Sequence, residues 1–283
     1  MRTILLTAVA MAAFAANSIL ARLALGSGAI DAASYTGIRL ASGAVVLGML
    51  VMLRGKSGWR SLVGLGTWQQ AAALLGYALA FSLAYQLLGA SVGALILFAS
   101  VQIGMVARAV LVGDRPGALE WLGLGLAGAA FVYLVSPGLA APDPLGALLM
   151  VMSGLCWAAY SLLGRGSSQP LADTAGNFLR CLPVAVLLLV GGLALNAPRL
   201  DGVIYAVASG AIASGLGYAI WYAALPELSR TRAAVVQLSV PVIAAFGAAL
   251  FIGETVTPRL LVSSALILGG IALATLLAGR RSR

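Results

Sequence analysis

Two groups of aromatic residues have a spacing that could build a binding surface. The groups are Tyr218, Trp221 and Tyr222 within GYAIWYAALPEL, and Tyr77, Phe81 and Tyr85 within GYALAFSLAYQL. In a helix, residues three or four positions apart share one face, so each group would form a wall of rings. Rings offer stacking area, while hydroxyl and indole N–H groups offer hydrogen bonds. The pattern predicts a site for a flat or apolar solute. The alternative is an aromatic belt at a membrane surface, which we favour for Tyr85, Trp59 and Trp68.

Polar residues inside apolar stretches extend the candidate site. The phrases FAANSIL, at 14–20, and WAAYSLL, at 157–163, are similar and place Asn17 and Tyr160 at matched positions. A polar group surrounded by hydrocarbon needs a partner, and that partner is either a neighbouring helix or a bound solute. We predict that the site is also lined by Asn17, Trp157, Tyr160 and Gln237.

Arg39 and Arg180 are the charged residues that lie well inside apolar stretches. An intramembrane charge indicates function, and here it could contact a carboxylate of the substrate. The alternative is that each side chain extends to the headgroups or makes a structural contact, which we favour.

The acidic residues have a different distribution. All eight lie just before an expected helix or in its first turn: Asp31, Asp114, Glu120, Asp143, Asp173, Asp201, Glu227 and Glu254. A carboxylate there meets unpaired backbone N–H groups and the positive end of the helix dipole. We therefore expect these residues to cap the helices that follow them.

The elements that position these residues are membrane-spanning helices. Hydrophobic residues make up 61% of the 283, charged residues 9%, and the mean hydropathy is +1.04. A soluble domain carries about 25% charged residues, and apolar runs of ~20 residues can cross a bilayer. The sequence predicts an all-α membrane protein with ten spans, at roughly 4–25, 33–53, 68–88, 91–112, 117–136, 144–163, 173–195, 202–224, 232–252 and 258–279.

The ten spans form two similar halves, residues 1–140 and 141–283. Besides the phrases already quoted, VGD at 112–114 matches IGE at 252–254, and Arg39 matches Arg180. Because each half has five spans, the second must enter the membrane from the opposite side. The duplication thus predicts an inverted-topology pair around a central cavity, an architecture typical of alternating-access transporters.

The FAANS and WAAYS phrases, the G-[DE] turn before the last span of each half and the 5+5 arrangement resemble the EamA-type drug/metabolite transporter superfamily. Within it, the chain is most similar to the YddG-type exporters of aromatic and other neutral amino acids. The resemblance covers nearly the whole chain. It implies that the first, third and fourth helices of each half surround the cavity, with both ring walls facing it.

These observations predict a transporter that exports aromatic and other neutral amino acids without hydrolysing ATP. The chain has no phosphate-binding G-x-x-x-x-G-K-[ST] loop, no histidine and no cluster that suggests a metal or cofactor. Most of the 17 basic residues fall on the side of the two chain ends, which predicts a multi-pass inner-membrane protein with cytoplasmic termini. Their scattered positions argue against nucleic acid, and ten helices could function as a monomer. The alternatives are an exporter of amphipathic drugs, a channel and a membrane-embedded enzyme.

Overall fold

A computed structural model describes residues 1–53, 64–113, 117–138, 141–228 and 230–281, and in these ranges the chain is helical without strands. Ten helices are long and apolar enough to cross a membrane, which confirms the predicted class. They are α1 Arg2–Gly26, α2 Ala32–Leu53, α3 Trp68–Leu87, α4 Ala90–Leu111, α5 Ala118–Val135, α6 Pro144–Leu163, α7 Pro170–Leu195, α8 Leu200–Glu227, α9 in two parts, Arg230–Gln237 and Ser239–Ile252, and α10 Pro258–Arg281.

Several helices begin at a side chain that accepts backbone hydrogen bonds. Asp31 Oδ1 accepts from the N–H groups of Ala33 and Ser34, both at 2.9 Å. Asp143 Oδ1 accepts from the Gly146 N–H at 2.7 Å. These bonds pair donors that have no partner within the first helical turn. The predicted capping roles of Asp31 and Asp143 are therefore confirmed.

Two helices depart from regular α geometry. In α8, residues Ala208–Leu216 form a π-helix between α-helical segments. π-helical turns are rare and often occur at functional sites. In α9, the α-helix is interrupted at Leu238, three residues before Pro241. Pro241 cannot donate to the Gln237 carbonyl and its ring crowds that oxygen, so the regular ladder breaks between the two parts.

The helix ends lie on two faces of the molecule. On one, the N-terminal face, Thr3 near the start of α1 donates a hydrogen bond to Glu227 at the end of α8. On the other, the opposite face, Arg22 near the end of α1 lies 3.8 Å from Glu254, which follows α9. The start of α1 thus lies on the same face as the end of α8, and the end of α1 lies on the same face as the end of α9. This is what ten successive crossings in alternating directions require.

Helix packing joins the two predicted halves. Helix α2 packs on α7, α5 on α10, α1 on α8 and α9, and, at matched positions, α6 on α3 and α4. This is the pattern expected of halves related by a two-fold axis. Between α5 and α10, a Cβ at Gly123 would lie 2.6 Å from the Gly270 carbonyl oxygen. Glycine at this crossing lets the two backbones approach closely.

Candidate functional site

Trp157 lies at the centre of a cluster of aromatic rings. Its ring centroid is 4.6 Å from that of Tyr77, 5.4 Å from that of Tyr160 and 5.6 Å from that of Tyr218. The Tyr218 ring is nearly parallel to it, at 16°. Such centroid distances are those of favourable aromatic pairs. Tyr77 of the first predicted half and Tyr218 of the second thus both pack on Trp157, where the two predicted halves join.

Further ring contacts extend this group, which we call the aromatic cluster. It comprises Phe14, Tyr77, Phe81, Tyr85, Trp157, Tyr160, Phe178, Tyr218, Trp221 and Tyr222. All seven aromatic residues predicted for the site are members. Both predicted ring walls therefore face the same place, and the cluster draws on α1, α3, α6, α7 and α8.

Tyr85 was the one ring of the two walls expected at a membrane surface, and that expectation is wrong. Its side chain is fully buried and packs edge-to-face on Phe81, with centroids 4.6 Å apart. Its place on the same helix face as Phe81 indicated that it belongs with the buried rings. Its position near the end of the helix suggested a membrane surface instead, and that suggestion was misleading. Trp68 is 69% exposed, as expected of a belt residue. Trp59 lies outside the described residues.

A polar network adjoins the rings on the side of the N-terminal face. The Thr174 hydroxyl donates to the Pro170 carbonyl at 2.7 Å and accepts from the Tyr160 hydroxyl at 3.1 Å. It also lies 3.0 Å from the Tyr222 hydroxyl. The Asn177 amide nitrogen donates to the Tyr160 oxygen at 3.5 Å. The network therefore orients two rings of the cluster through their hydroxyl groups.

Thr174, Asn177 and Phe178 contact the predicted site residues but were not predicted from the sequence. All three lie in one turn of α7 and are buried. Polar residues within an apolar span were the signal for Thr174 and Asn177. Phe178 had no signal of its own, because a single phenylalanine in a membrane helix is ordinary.

Asn17 contacts the π-helix rather than a ring. Its side-chain oxygen accepts a hydrogen bond from the Ser209 hydroxyl at 2.8 Å and lies 3.4 Å from that of Ser214. Both serines belong to the π-helical part of α8, which continues directly into the ring-bearing segment at Gly217. Asn17 thus ties α1 to the segment that positions Tyr218.

Arg39 lies against the aromatic cluster and is 2% exposed. Its Nη2 donates to the Tyr77 hydroxyl at 2.8 Å. Its Cζ atom is 4.6 Å from the Phe81 ring centroid and 5.2 Å from that of Tyr77, so the cation lies within the range of cation–π attraction. The side chain does not extend to a membrane surface, which was one of the expected alternatives.

Arg180, the matched arginine, behaves differently. Its Nη1 donates to the Leu65 carbonyl, before α3, and its Cζ lies 5.6 Å from the Trp68 ring centroid. It therefore extends toward the N-terminal face and makes a structural contact. Gln237 ends the first part of α9. No hydrogen bond or ring contact within the described ranges connects Gln237 to the aromatic cluster.

Cavities lie on both sides of the aromatic cluster. One of about 170 Å³ on the N-terminal face is lined by Val51, by Tyr222 and by residues 168–172. One of about 280 Å³ on the opposite face is lined by Arg22, Ser91, Glu254 and their neighbours. Ligand pockets usually enclose about 300–1,000 Å³. Both cavities are smaller than this range, and Tyr222, a member of the aromatic cluster, lines the first.

Glu254 joins three helices on the opposite face. Its carboxylate accepts hydrogen bonds from the Ala90 N–H at 2.7 Å, from the Ser91 N–H at 3.2 Å and from the Ser91 hydroxyl at 3.0 Å. Arg22 Nε lies 3.8 Å from the same carboxylate. Glu254 was expected to cap α10, the helix that follows it. Instead it caps α4, and so connects α9 to α1 and α4.

The remaining acidic residues in the described ranges form no metal-binding cluster. Among the residues that the structure describes, no three His, Cys, Asp or Glu side chains come together in a way that could hold a metal ion. Asp173 accepts from the Gly66 N–H at 3.1 Å and from the Ser167 hydroxyl at 2.5 Å, so it joins the loop before α3 to α7. Asp114 lies outside the described residues.

Comparisons with known proteins agree with this architecture. The sequence profile of the EamA-like transporter family matches residues 144–276. The chain is 52% identical over 275 residues to the uncharacterized protein PA1977 of Pseudomonas aeruginosa, covering 96% of this chain and 94% of that protein. A crystal structure of a protein with 21% sequence identity superposes with a TM-score of 0.64 and covers 98% of this chain and 99% of the other. This last likeness concerns the fold alone.

Proposed function

We propose, from the premise that this chain belongs to the EamA-like transporter family, that it exports aromatic and other neutral amino acids across the inner membrane. The family consists of membrane transporters of small molecules, and the chain is a multi-pass membrane protein. The substrate class, the direction and the cytoplasmic position of both chain ends are part of the proposal.

The observation that carries the proposal is the aromatic cluster. Its rings come from helices of both halves and lie between two cavities on opposite faces. We infer that a solute passing from one cavity to the other passes these rings. An aromatic or branched side chain can replace ring–ring contacts with solute–ring contacts at little cost. The hydroxyl groups of Tyr160, Tyr218 and Tyr222 could bond its polar end.

Alternating access explains how the site would work without ATP. In the present conformation the Glu254 carboxylate joins α9 to α4 on the opposite face, while the cavity on the N-terminal face reaches Tyr222. We infer that the substrate enters beside Tyr222, displaces the rings and leaves after the Glu254 contacts open. The transport direction follows the substrate gradient.

The test is uptake of labelled phenylalanine into liposomes that contain the purified protein. Unlabelled phenylalanine on the other side should accelerate uptake, which a carrier shows and a channel does not. Tyr77→Ala and Trp221→Ala should each raise the half-saturation concentration by about 2- to 10-fold, because each ring takes part in contacts worth roughly 0.5–1.5 kcal/mol. Trp121→Ala is the matched control, since Trp121 is 52% exposed on α5.

Two outcomes would remove the proposal. Unchanged kinetics in both cluster variants would mean that the rings do not bind the solute. Transport of a cationic aromatic dye with no transport of phenylalanine would identify a drug exporter instead.

A further inference from the structure

We propose that Arg39 and Tyr35 form a buried site for a small monovalent anion. In the transport cycle proposed above, this anion is the carboxylate of the substrate. The identity of the ligand rests on the proposed function, whereas the existence of the site does not.

The Arg39 guanidinium is not fully paired. No carboxylate among the described residues pairs with it, and its Nη1 has no hydrogen-bond partner there. The Phe81 and Tyr77 rings attract the cation, but they give Nη1 no acceptor. A guanidinium has five N–H donors and no acceptor, and a buried charge is normally paired or fully hydrogen-bonded. The vacant donors therefore call for an acceptor of negative charge.

The neighbouring Tyr35 hydroxyl also lacks a hydrogen-bond partner. Tyr35 lies one helical turn before Arg39, on the same face of α2, and its side chain is fully buried. Its hydroxyl lies near the Ser209 hydroxyl of the π-helix, which already donates to Asn17, but it does not reach hydrogen-bond geometry with Ser209 or with any other group in the described ranges. Buried polar groups are seldom left unpaired. One anion could accept from both the hydroxyl and Nη1.

The Arg39 guanidinium lies beside the aromatic cluster. Arg39 lies over Phe81 and donates to Tyr77, and both residues belong to the cluster. A solute whose ring occupies the cluster could therefore place its carboxylate at Arg39. Arg180 offers no equivalent site, because its guanidinium is bonded to the Leu65 carbonyl.

The experiment measures binding to the full chain in lipid nanodiscs by calorimetry. Phenylalanine is compared with phenylalaninamide, which keeps the ring and the ammonium group and lacks the carboxylate. Sodium acetate and sodium chloride, titrated separately into sodium gluconate buffer, probe the free anion. The variants are Arg39→Gln, Tyr35→Phe and the control Arg180→Gln.

We expect the wild type to bind phenylalanine at least about 10-fold more tightly than its amide. Arg39→Gln should weaken phenylalanine binding by about 10- to 100-fold, the range for lost charge-assisted hydrogen bonds, and leave amide binding unchanged. Arg180→Gln should keep the preference. If the wild type shows no preference but binds acetate or chloride through Arg39, the site stands and its ligand is a free anion.

Several results would overturn the site. They are equal weakening of acid and amide by Arg39→Gln, wild-type behaviour of that variant, or no binding of any anion by the wild type. If neither phenylalanine nor its amide binds, the proposed function fails, and the acetate and chloride titrations still decide the anion site.

Tyr35→Phe keeps the test decisive if Arg39→Gln does not fold. The substitution preserves the buried ring and removes only the unpaired hydroxyl, so we expect unchanged thermal stability. Anion binding should weaken by about 2- to 10-fold, the range for one neutral hydrogen bond. Unchanged anion affinity in a folded Tyr35→Phe protein would refute the two-donor site.

Discussion

Removal of the Glu254 carboxylate should open the opposite face of the molecule. Glu254, at the end of α9, caps α4 by accepting hydrogen bonds from the backbone N–H groups of Ala90 and Ser91. Ala90 and Ser91 are both buried. In Glu254→Ala their N–H groups lose the acceptor, while a conformation that opens this face lets water reach them. The substitution therefore raises the free energy of the closed state relative to the open one.

The magnitude follows from these contacts. A buried donor left without its partner costs about 1–3 kcal/mol. This range corresponds to a roughly 5- to 150-fold change in the ratio of open to closed molecules. Glu254→Gln should have a smaller effect, because the amide oxygen still accepts a bond from α4.

The assay is the rate at which a membrane-impermeant maleimide labels a cysteine behind the Glu254 contacts. Leu95→Cys is suitable, since Leu95 lies one turn beyond Ser91 on α4 and is 1% exposed. The native thiols, which are free, are first removed by Cys156→Ala and Cys181→Ala. With reagent on the opposite face, Glu254→Ala should raise the labelling rate by roughly 5- to 150-fold.

Asp201→Asn is the matched control on the same face. Asp201 pairs with Arg199 at 2.6 Å, but both side chains are exposed and only two residues apart. Such a pair contributes little and closes no gap between helices. An unchanged labelling rate in Glu254→Ala, or an equal rise in Asp201→Asn, would refute the assignment of Glu254 as the link that holds this face closed.

Two further predictions concern packing between helices of the two predicted halves. Trp157→Ala removes three ring pairs of roughly 0.5–1.5 kcal/mol each, so it should lower the free energy of unfolding in detergent by roughly 1.5–4.5 kcal/mol, whereas Trp121→Ala should change it little; equal losses would contradict the central role of Trp157. Gly210→Ala places a Cβ against the Arg39 carbonyl and should destabilise the chain by about 1–3 kcal/mol, as measured by thermal unfolding. Its control is Gly128→Ala, where a Cβ meets no atom within 4 Å; a Gly210→Ala protein as stable as the control would contradict the close packing of α2 on α8 at this position.

The sequence by itself determined the ten helices. Crossing a bilayer requires about 20 apolar residues with every backbone group paired inside the helix, and this requirement is visible in a linear pattern. The predicted spans agree with the helices to within a few residues. The spacing of Tyr218, Trp221 and Tyr222 likewise fixed their common helix face, because helical periodicity depends on local geometry alone.

Only the tertiary structure decided which of these faces meet. Arg39 and Arg180 occupy matched positions in the sequence, yet one lies against the aromatic cluster and the other is bonded to the Leu65 carbonyl. The contacts of each arginine come from other helices and loops, so the sequence around the arginine does not predict them. Tyr85 is buried for the same reason.

The partner of Glu254 was also beyond the reach of the sequence. Its position after α9 predicts a cap on the next helix, since local caps are the commonest use of such a residue. In the folded chain, the start of α4 lies within hydrogen-bond distance instead. A carboxylate binds whichever N–H groups the packing brings near it, so the packing of α9 against α4 decided its role.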